Sequence, residues 1–268
     1  MSGFSAAWLA LREPYDLRAR NAAVIGAMIA ALADRPSVNI VDLACGTGAN
    51  FRALSPHIEA QQNWRLVDND LSLLARVPRP KSSYITVTTV PVDLNQDLEA
   101  ALDGPLDLIT TSALFDLVSD EWLQRLAVEA AARHLPVYAA LSYNGRIAIT
   151  PADASDEQVI AAFNAHQRND KGFGPALGPA AAQAAVKRFE RVGYSVEQGD
   201  ADWMFGPQDR EIQIEILSGW AAATRDTGDV PLVDVIGWLT RRRDLVASGL
   251  SSIRVGHVDL FAYPTGTR

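Results

Sequence analysis

Cysteine is almost absent from this chain. Cys45 is the single thiol in 268 residues, which excludes an intramolecular disulfide framework. The four histidines are scattered and, with one cysteine, make no metal-ligand spacing, so no metal is expected. No run approaches the roughly 18 apolar residues of a membrane span. Met1-Ser2-Gly3-Phe4 likewise lacks the basic segment and apolar stretch that open a secretory signal. A cytoplasmic location without a membrane partner is therefore expected.

Positive charge is also in deficit, with 24 Lys and Arg against 32 Asp and Glu for a net charge of −8. Nucleic-acid binding needs a face that neutralises phosphates, so DNA and RNA are disfavoured as partners. The one basic cluster, Arg241-Arg242-Arg243, falls late in a helical pattern from Pro231 to Val246. There cations complement the helix dipole and are expected to stay solvated. Repeats and low-complexity tracts are missing too. With 48% hydrophobic residues, the chain can bury the core of one large domain.

What is present centres on Asn39-Ile40-Val41-Asp42-Leu43-Ala44-Cys45-Gly46-Thr47-Gly48-Ala49-Asn50. An apolar, β-branched run ends in an acid and breaks into Gly-Thr-Gly before a helix-compatible segment, which reads as strand, tight turn and helix. Glycines two apart let the backbone approach a ligand with no Cβ in the way. The exposed amides at the helix start favour a partly negative group, so a nucleotide-like ligand is expected. A dinucleotide fingerprint would require its third glycine at position 51, where Phe51 stands, and has no acid four residues before Gly46. Cys45 has no accompanying base motif and reads as a small residue that fits the turn.

This stretch resembles motif I of the class I S-adenosylmethionine-dependent methyltransferases. The resemblance covers about residues 38–150 and weakens toward the C-terminus. Trp64-Arg65-Leu66-Val67-Asp68-Asn69-Asp70 is similar to the family's second strand, with Asp68, 22 residues after Gly46, at the acidic end that holds the ribose hydroxyls. A carboxylate suits a cis-diol because it accepts from both hydroxyls at once. The run from Tyr84 to Leu94 supplies a third strand and the Asp93-Leu94 pair, where the family receives the adenine amino group and covers the ring with backbone. Leu106 to Asp116 resembles the fourth strand and the loop beyond it. The resemblance implies S-adenosyl-L-methionine as cofactor, surrounded by Asp42, Ala44, Gly46, Gly48, Asn50, Asp68, Asn69, Asp93, Leu94 and Ser112.

The implied fold class is α/β: a doubly wound, mostly parallel, seven-stranded Rossmann-like methyltransferase sheet with a helical N-terminal segment and helical insertions. Residues 1–36 form a helical cap, 37–150 the cofactor-binding core, and 151–268 helical lid insertions plus the last two strands of the same sheet. In the cap, two helical pieces are expected on either side of Pro14. Between them, the polar cluster Arg12 to Arg20 reads either as a salt-bridged surface or as a segment folded over the cofactor, with Tyr15 or Arg20 at its methionine end.

Beyond the fourth strand, Ser119-Asp120-Glu121 opens a helix with Trp122, Leu123, Leu126, Ala127 and Ala130 on one face. Val137 to Tyr143 is the fifth strand, expected to end at the Asn144-Gly145 turn. Ligands of open α/β sheets lie beyond the strand carboxyl ends, which brings Asp116, Tyr143 and Asn144 to the cofactor crevice. Ser155 and Gln158 make a capping box. The polar, glycine-rich run from Asn164 to Pro175, with His166, reads either as a substrate lid or as a solvated linker. Tyr194 to Gln198 and Ser252 to Tyr263 are the last strands, which the family pairs antiparallel at one edge. Trp203, Trp220 and Trp238 between them read as core more than as cavity lining.

The expected function is methyl transfer to a small-molecule acceptor, with Asp116 as the first candidate for acceptor chemistry and Tyr143 and His166 behind it. Sulfonium is already a good leaving group, so the protein chiefly positions the nucleophile, and an amine or hydroxyl acceptor adds the need for a base. The family's Asn-Pro-Pro-Tyr signature for exocyclic amines is missing, and Ser112-Ala113-Leu114-Phe115 stands there, which disfavours base methylation. Two rivals remain on the same fold: an aminopropyl transferase, and a cofactor-binding regulatory or assembly protein without turnover.

Overall fold

The computed structural model describes residues 4–266. Two helices, α1 (Ala6–Ala19) and α2 (Ala22–Leu32), lead into the alternation β1 (Ser37–Leu43), α3 (Ala49–Leu54), β2 (Gln61–Asp68), α4 (Leu71–Leu74), β3 (Ile85–Pro91), α5 (Leu98–Ala101), β4 (Leu108–Ser112), α6 (Asp120–Ala132) and β5 (Val137–Thr150). The remainder adds α7 (Asp156–His166), α8 (Ala181–Arg191), β6 (Tyr194–Asp200), β7 (Trp203–Phe205), α9 (Arg210–Thr227), α10 (Leu232–Ala247) and β8 (Ser252–Pro264). The sheet order is β3-β2-β1-β4-β5-β8-β6, parallel from β3 to β5, with β8 antiparallel to both its neighbours. β7 pairs with β8 directly beyond β6: Asp200 lies opposite Val258 and Trp203 opposite Val255. β6 and β7 are thus one edge strand interrupted at Ala201-Asp202, and the sheet has seven strand positions.

The central strands β1 and β4 and the first half of β5 are buried along most of their length because both sheet faces are covered there. From β1, Val41 and Leu43 enter a cluster with Val67, Ile109 and Leu126, while Val38 and Ile40 face Met28, Leu66 and Leu108 on the other side. A third cluster joins Tyr143 and Phe205 to Trp220 and Trp238, which are core residues of α9 and α10. The strand order reverses between β1 and β4. Their carboxyl ends therefore diverge and open the crevice of a doubly wound sheet.

Four local expectations are corrected. Pro14 does not divide α1, which runs on to Ala19. The break comes at Asn21, whose side chain accepts the Ala23 and Val24 amides. Arg12 pairs with Asp16 at 3.1 Å, Trp203 donates to Asp16 at 2.9 Å, and Arg52 pairs with Glu13 at 2.6 Å; these contacts hold the helix despite the missing proline N–H.

Asn144-Gly145 does not end β5. It is a bulge where the register against β8 slips, with Gly145 at φ +83° and Asn144 Oδ1 accepting the Arg146 amide. Ser155 makes no side-chain cap; one turn's start is instead held by Asp156 Oδ2, which accepts the Asp153 amide at 2.8 Å. Arg242 is not solvated but 0% exposed, donating to Asp156 and to the Pro151 carbonyl, because α10 packs against the start of α7.

Candidate active site

After Leu43 the chain turns through Ala44, Gly46 and Gly48 at φ +54°, +55° and +82°. Ala44 is strained there, and it is not alone. Ala113 just after β4 and Leu141 within β5 stand at φ +52° and +55°, so each of the three central strands carries one left-handed non-glycine residue. Each such residue costs roughly 1–3 kcal/mol, and clusters of them mark functional crevices. Asp68 Oδ2 accepts the Gly46 amide at 2.8 Å and its Oδ1 the Asp70 amide at 2.9 Å, which locks the end of β2 to the turn and leaves lone pairs for further donors. A Cβ on Gly46 would sit 3.1 Å from Leu9, so α1 closes over this turn.

Beneath the turn lies Asp42, 1% exposed. Its Oδ1 accepts from Asn50 Nδ2 and Thr110 Oγ1, each at 2.7 Å, while Oδ2 has no partner. Burial pushes the carboxyl up to about 6 against the opposing pull of those two bonds and of Arg20. Arg20, at the end of α1, donates to Asn50 Oδ1 at 2.9 Å and to Ser112 Oγ at 3.2 Å, and its Nε has no partner. A buried acceptor and a buried donor, both unsatisfied, thus flank the glycine turn. Together they complement a group carrying an ammonium and a carboxylate.

Further along the crevice, Asp116 follows β4 and is 9% exposed, with Oδ1 unpartnered. Ser119 Oγ takes the Trp122 amide at 3.2 Å, so capping of α6 falls to Ser119 and the Asp116 side chain is free of it. Burial pushes the Asp116 carboxyl up to about 6. Its own amide and that of Tyr143 oppose the shift, followed by Arg12 and Lys171.

Tyr143 donates to Asn164 Oδ1 at 2.6 Å, and burial, then the Asp116 charge, hold its hydroxyl protonated. His257, 5% exposed, lies 4.5 Å from the Trp203 ring and 6.0 Å from that of Tyr143. Its Nδ1 is 3.1 Å from the Val255 carbonyl, which can only accept; the proton is therefore assigned to Nδ1 and Nε2 keeps its lone pair. Burial and the neighbouring Arg12 push this imidazole down to about 3, so it is neutral.

Among solved structures, the cyclopropane-fatty-acyl-phospholipid synthase-like protein from Lactobacillus casei ATCC 334 superposes with a TM-score of 0.55 at 13% identity, over 97% of this chain and 95% of that one. The fold is that of the class I methyltransferases. An S-adenosylmethionine-dependent methyltransferase from Geobacter sulfurreducens, solved with S-adenosyl-L-homocysteine, matches 99% of this chain and 100% of that one at 14% identity and a TM-score of 0.45. A cyclopropane synthase from Mycobacterium tuberculosis covers 88% of this chain and 83% of that one at 12% identity and a TM-score of 0.46. No protein-family model and no curated protein sequence matches. Such identities carry the topology alone.

Within the methyltransferase fold, Asp42, Asn50, Ser112 and Arg20 form one network, and Ala44, Gly46, Gly48 and Asp68 form the turn beside it. Asn69 is exposed just past Asp68. Asp93 Oδ1 accepts the Asn95 amide at 3.0 Å, and the Leu94 carbonyl accepts Trp122 Nε1 at 2.7 Å, which fixes the segment after β3. Cys45 is buried, with its thiol pKa pushed up by that burial, and it is structural.

Tyr15 is not brought to the turn. Its hydroxyl donates to Asp209 at 2.9 Å and its ring meets Phe205, because it lies about 140° around the helix from Arg20. His166 closes α7, where Lys171 and Asp226 are its charged neighbours rather than Asp116. Sequence reasoning missed His257 and Asp259. Asp259 accepts the Asn21 and Leu141 amides at 2.9 and 2.8 Å and so ties α2 and the strained Leu141 to β8. The signal available for it was an acid inside the apolar run Val258 to Ala262.

Proposed function

We propose that this chain transfers a methyl group from S-adenosylmethionine to a small-molecule acceptor whose nucleophile carries a proton. The observation that carries the reading is the pair of unsatisfied buried atoms, Asp42 Oδ2 and Arg20 Nε, beside the Gly46 turn. They complement the amino-acid end of this cofactor: Asp42 would hold the ammonium and Arg20 the carboxylate. Asp68 would serve the ribose hydroxyls, and Asp93 with the Leu94 backbone the adenine. When bound, the cofactor supplies an electrophilic methyl on a sulfonium that departs as a neutral thioether.

The chain's own contribution is position and one proton. α1 closes over the turn through Leu9, and Asp116, just beyond the end of β4, offers an unpartnered oxygen. Burial brings its carboxyl nearer to useful base strength, so it is suited to orient an N–H or O–H nucleophile and to take its proton as the new bond forms. Calorimetry with S-adenosylmethionine and S-adenosylhomocysteine, followed by a metabolite-pool screen for S-adenosylhomocysteine release, tests binding and turnover in turn. Binding without release from any pool would favour a regulatory protein over an enzyme.

A further inference from the structure

We infer that the methyl acceptor is a small amino- or hydroxy-carboxylic acid, its carboxylate held by Lys171 and its N–H or O–H presented to Asp116; this rests on the methyl-transfer reading above. Among the described residues, all of the ion pairs are made by arginine, and Lys171 takes part in none. The half-buried ammonium of Lys171 has one polar contact, the His166 carbonyl at 3.4 Å.

The loop that carries this lysine is tethered near Asp116. Asp170 Oδ1 accepts the Gly172 and Gly174 amides at 2.6 and 3.0 Å, and Phe173 meets the Trp122 ring edge-on at 5.5 Å. Beyond it, the Leu177 and Gly178 amides donate to the carbonyls of Val118 and Asp116 at 2.8 and 3.0 Å. These contacts bring the segment that carries Lys171 to the corner at Asp116. The two side chains are close enough for each to favour the other's charged form, yet they are not paired.

A half-buried ammonium bonded only to one carbonyl, near a buried carboxylate whose Oδ1 has no partner, complements a ligand that brings the opposite groups. A neutral or purely cationic acceptor would leave Lys171 without a counter-charge. The other nearby cation, Arg12, is already committed to Asp16 at 3.1 Å. A single ammonium is a point charge suited to one carboxylate, and the absence, among the described residues beside Asp116, of a second cation free to share a doubly charged group favours a carboxylate over a phosphate.

The test uses the full chain saturated with S-adenosylhomocysteine, titrated calorimetrically with amino- and hydroxy-carboxylic acids, each beside its primary amide. At least one acid should bind roughly 10- to 100-fold more tightly than its amide, as expected for a charge-assisted contact. Lys171→Met should abolish that ratio without changing affinity for S-adenosylhomocysteine or the melting temperature, and Lys171→Arg should restore part of it. The same acid should give a methylated product by mass spectrometry when S-adenosylmethionine replaces S-adenosylhomocysteine. Acids and amides binding alike, or Lys171→Met weakening both equally, overturns the inference, as does a protein that binds S-adenosylhomocysteine but none of the acids. Failure to bind S-adenosylhomocysteine at all removes the methyl-transfer reading itself, and this inference with it.

Discussion

The carboxylate of Asp68 accepts the amide of Gly46 at 2.8 Å, which makes the end of β2 and the glycine turn after β1 one rigid unit. Asp68→Ala removes both the diol acceptor and this brace. Affinity for S-adenosylmethionine and S-adenosylhomocysteine should fall together by about 1.5–3 kcal/mol, roughly one to two decades, as measured by calorimetry. Unchanged affinity would take Asp68 out of the site.

Asp42 and Arg20 are expected to act on the other end of the cofactor. Asp42→Asn and Arg20→Met should each weaken S-adenosylmethionine by roughly ten- to a hundredfold while leaving adenosine nearly unaffected. Because both bond to Asn50, at 2.7 and 2.9 Å, the double variant should lose less than the sum of the two. Equal losses for adenosine would mean that the variants only disturb the turn.

Asp116 gives a pH signature. Its carboxyl stands at about 6 against 3.8 for the unperturbed group, so the folded protein binds this proton more tightly than the unfolded chain does. That contribution favours folding below about pH 4, is lost as pH rises through about 6, and leaves a buried ionised group above it, an effect of up to ~3 kcal/mol. Ligand-free Asp116→Asn should therefore melt about 5 °C or more above the wild type at pH 8 and match it near pH 4. The same variant should keep cofactor affinity and lose roughly 10² in turnover, and wild-type kcat/KM should fall as pH drops below about 6. A melting difference that ignores pH would detach the effect from ionisation.

The 164–175 segment should respond to ligand. Few apolar side chains pin it apart from Phe173, and its fixed contacts converge on Asp170 and on the corner at Asp116 and Val118. Limited proteolysis should cut it in the free protein and much less once cofactor and acceptor are bound. Equal resistance in both states would make it a static linker.

The glycine turn, the acids at 42 and 68, the parallel strands and the Ser119 cap were legible because each is written in neighbouring residues. The rest depended on partners far away in sequence. Pro14 reads as a break, but α1 survives it through bonds to Trp203 and Arg52. Asn144-Gly145 reads as a turn, yet long pairing with β8 carries the strand through it as a bulge. Tyr15 and Arg20 share one polar cluster in the sequence and face different partners in the fold, Asp209 and Asn50. Arg242 reads as a solvated cation and is buried because Asp156 meets it from another helix. His257 carried no local motif, and only the closure of β8 against β5 sets it beside Tyr143 and Trp203.

Titration of the full chain with S-adenosylmethionine, and separately with NAD, tests the central claim most directly. The account predicts one S-adenosylmethionine bound per chain, weakened by Asp68→Ala and Asp42→Asn, and no binding of NAD, since Phe51 stands where a dinucleotide fingerprint needs glycine. Tight binding of NAD with none of S-adenosylmethionine would contradict it.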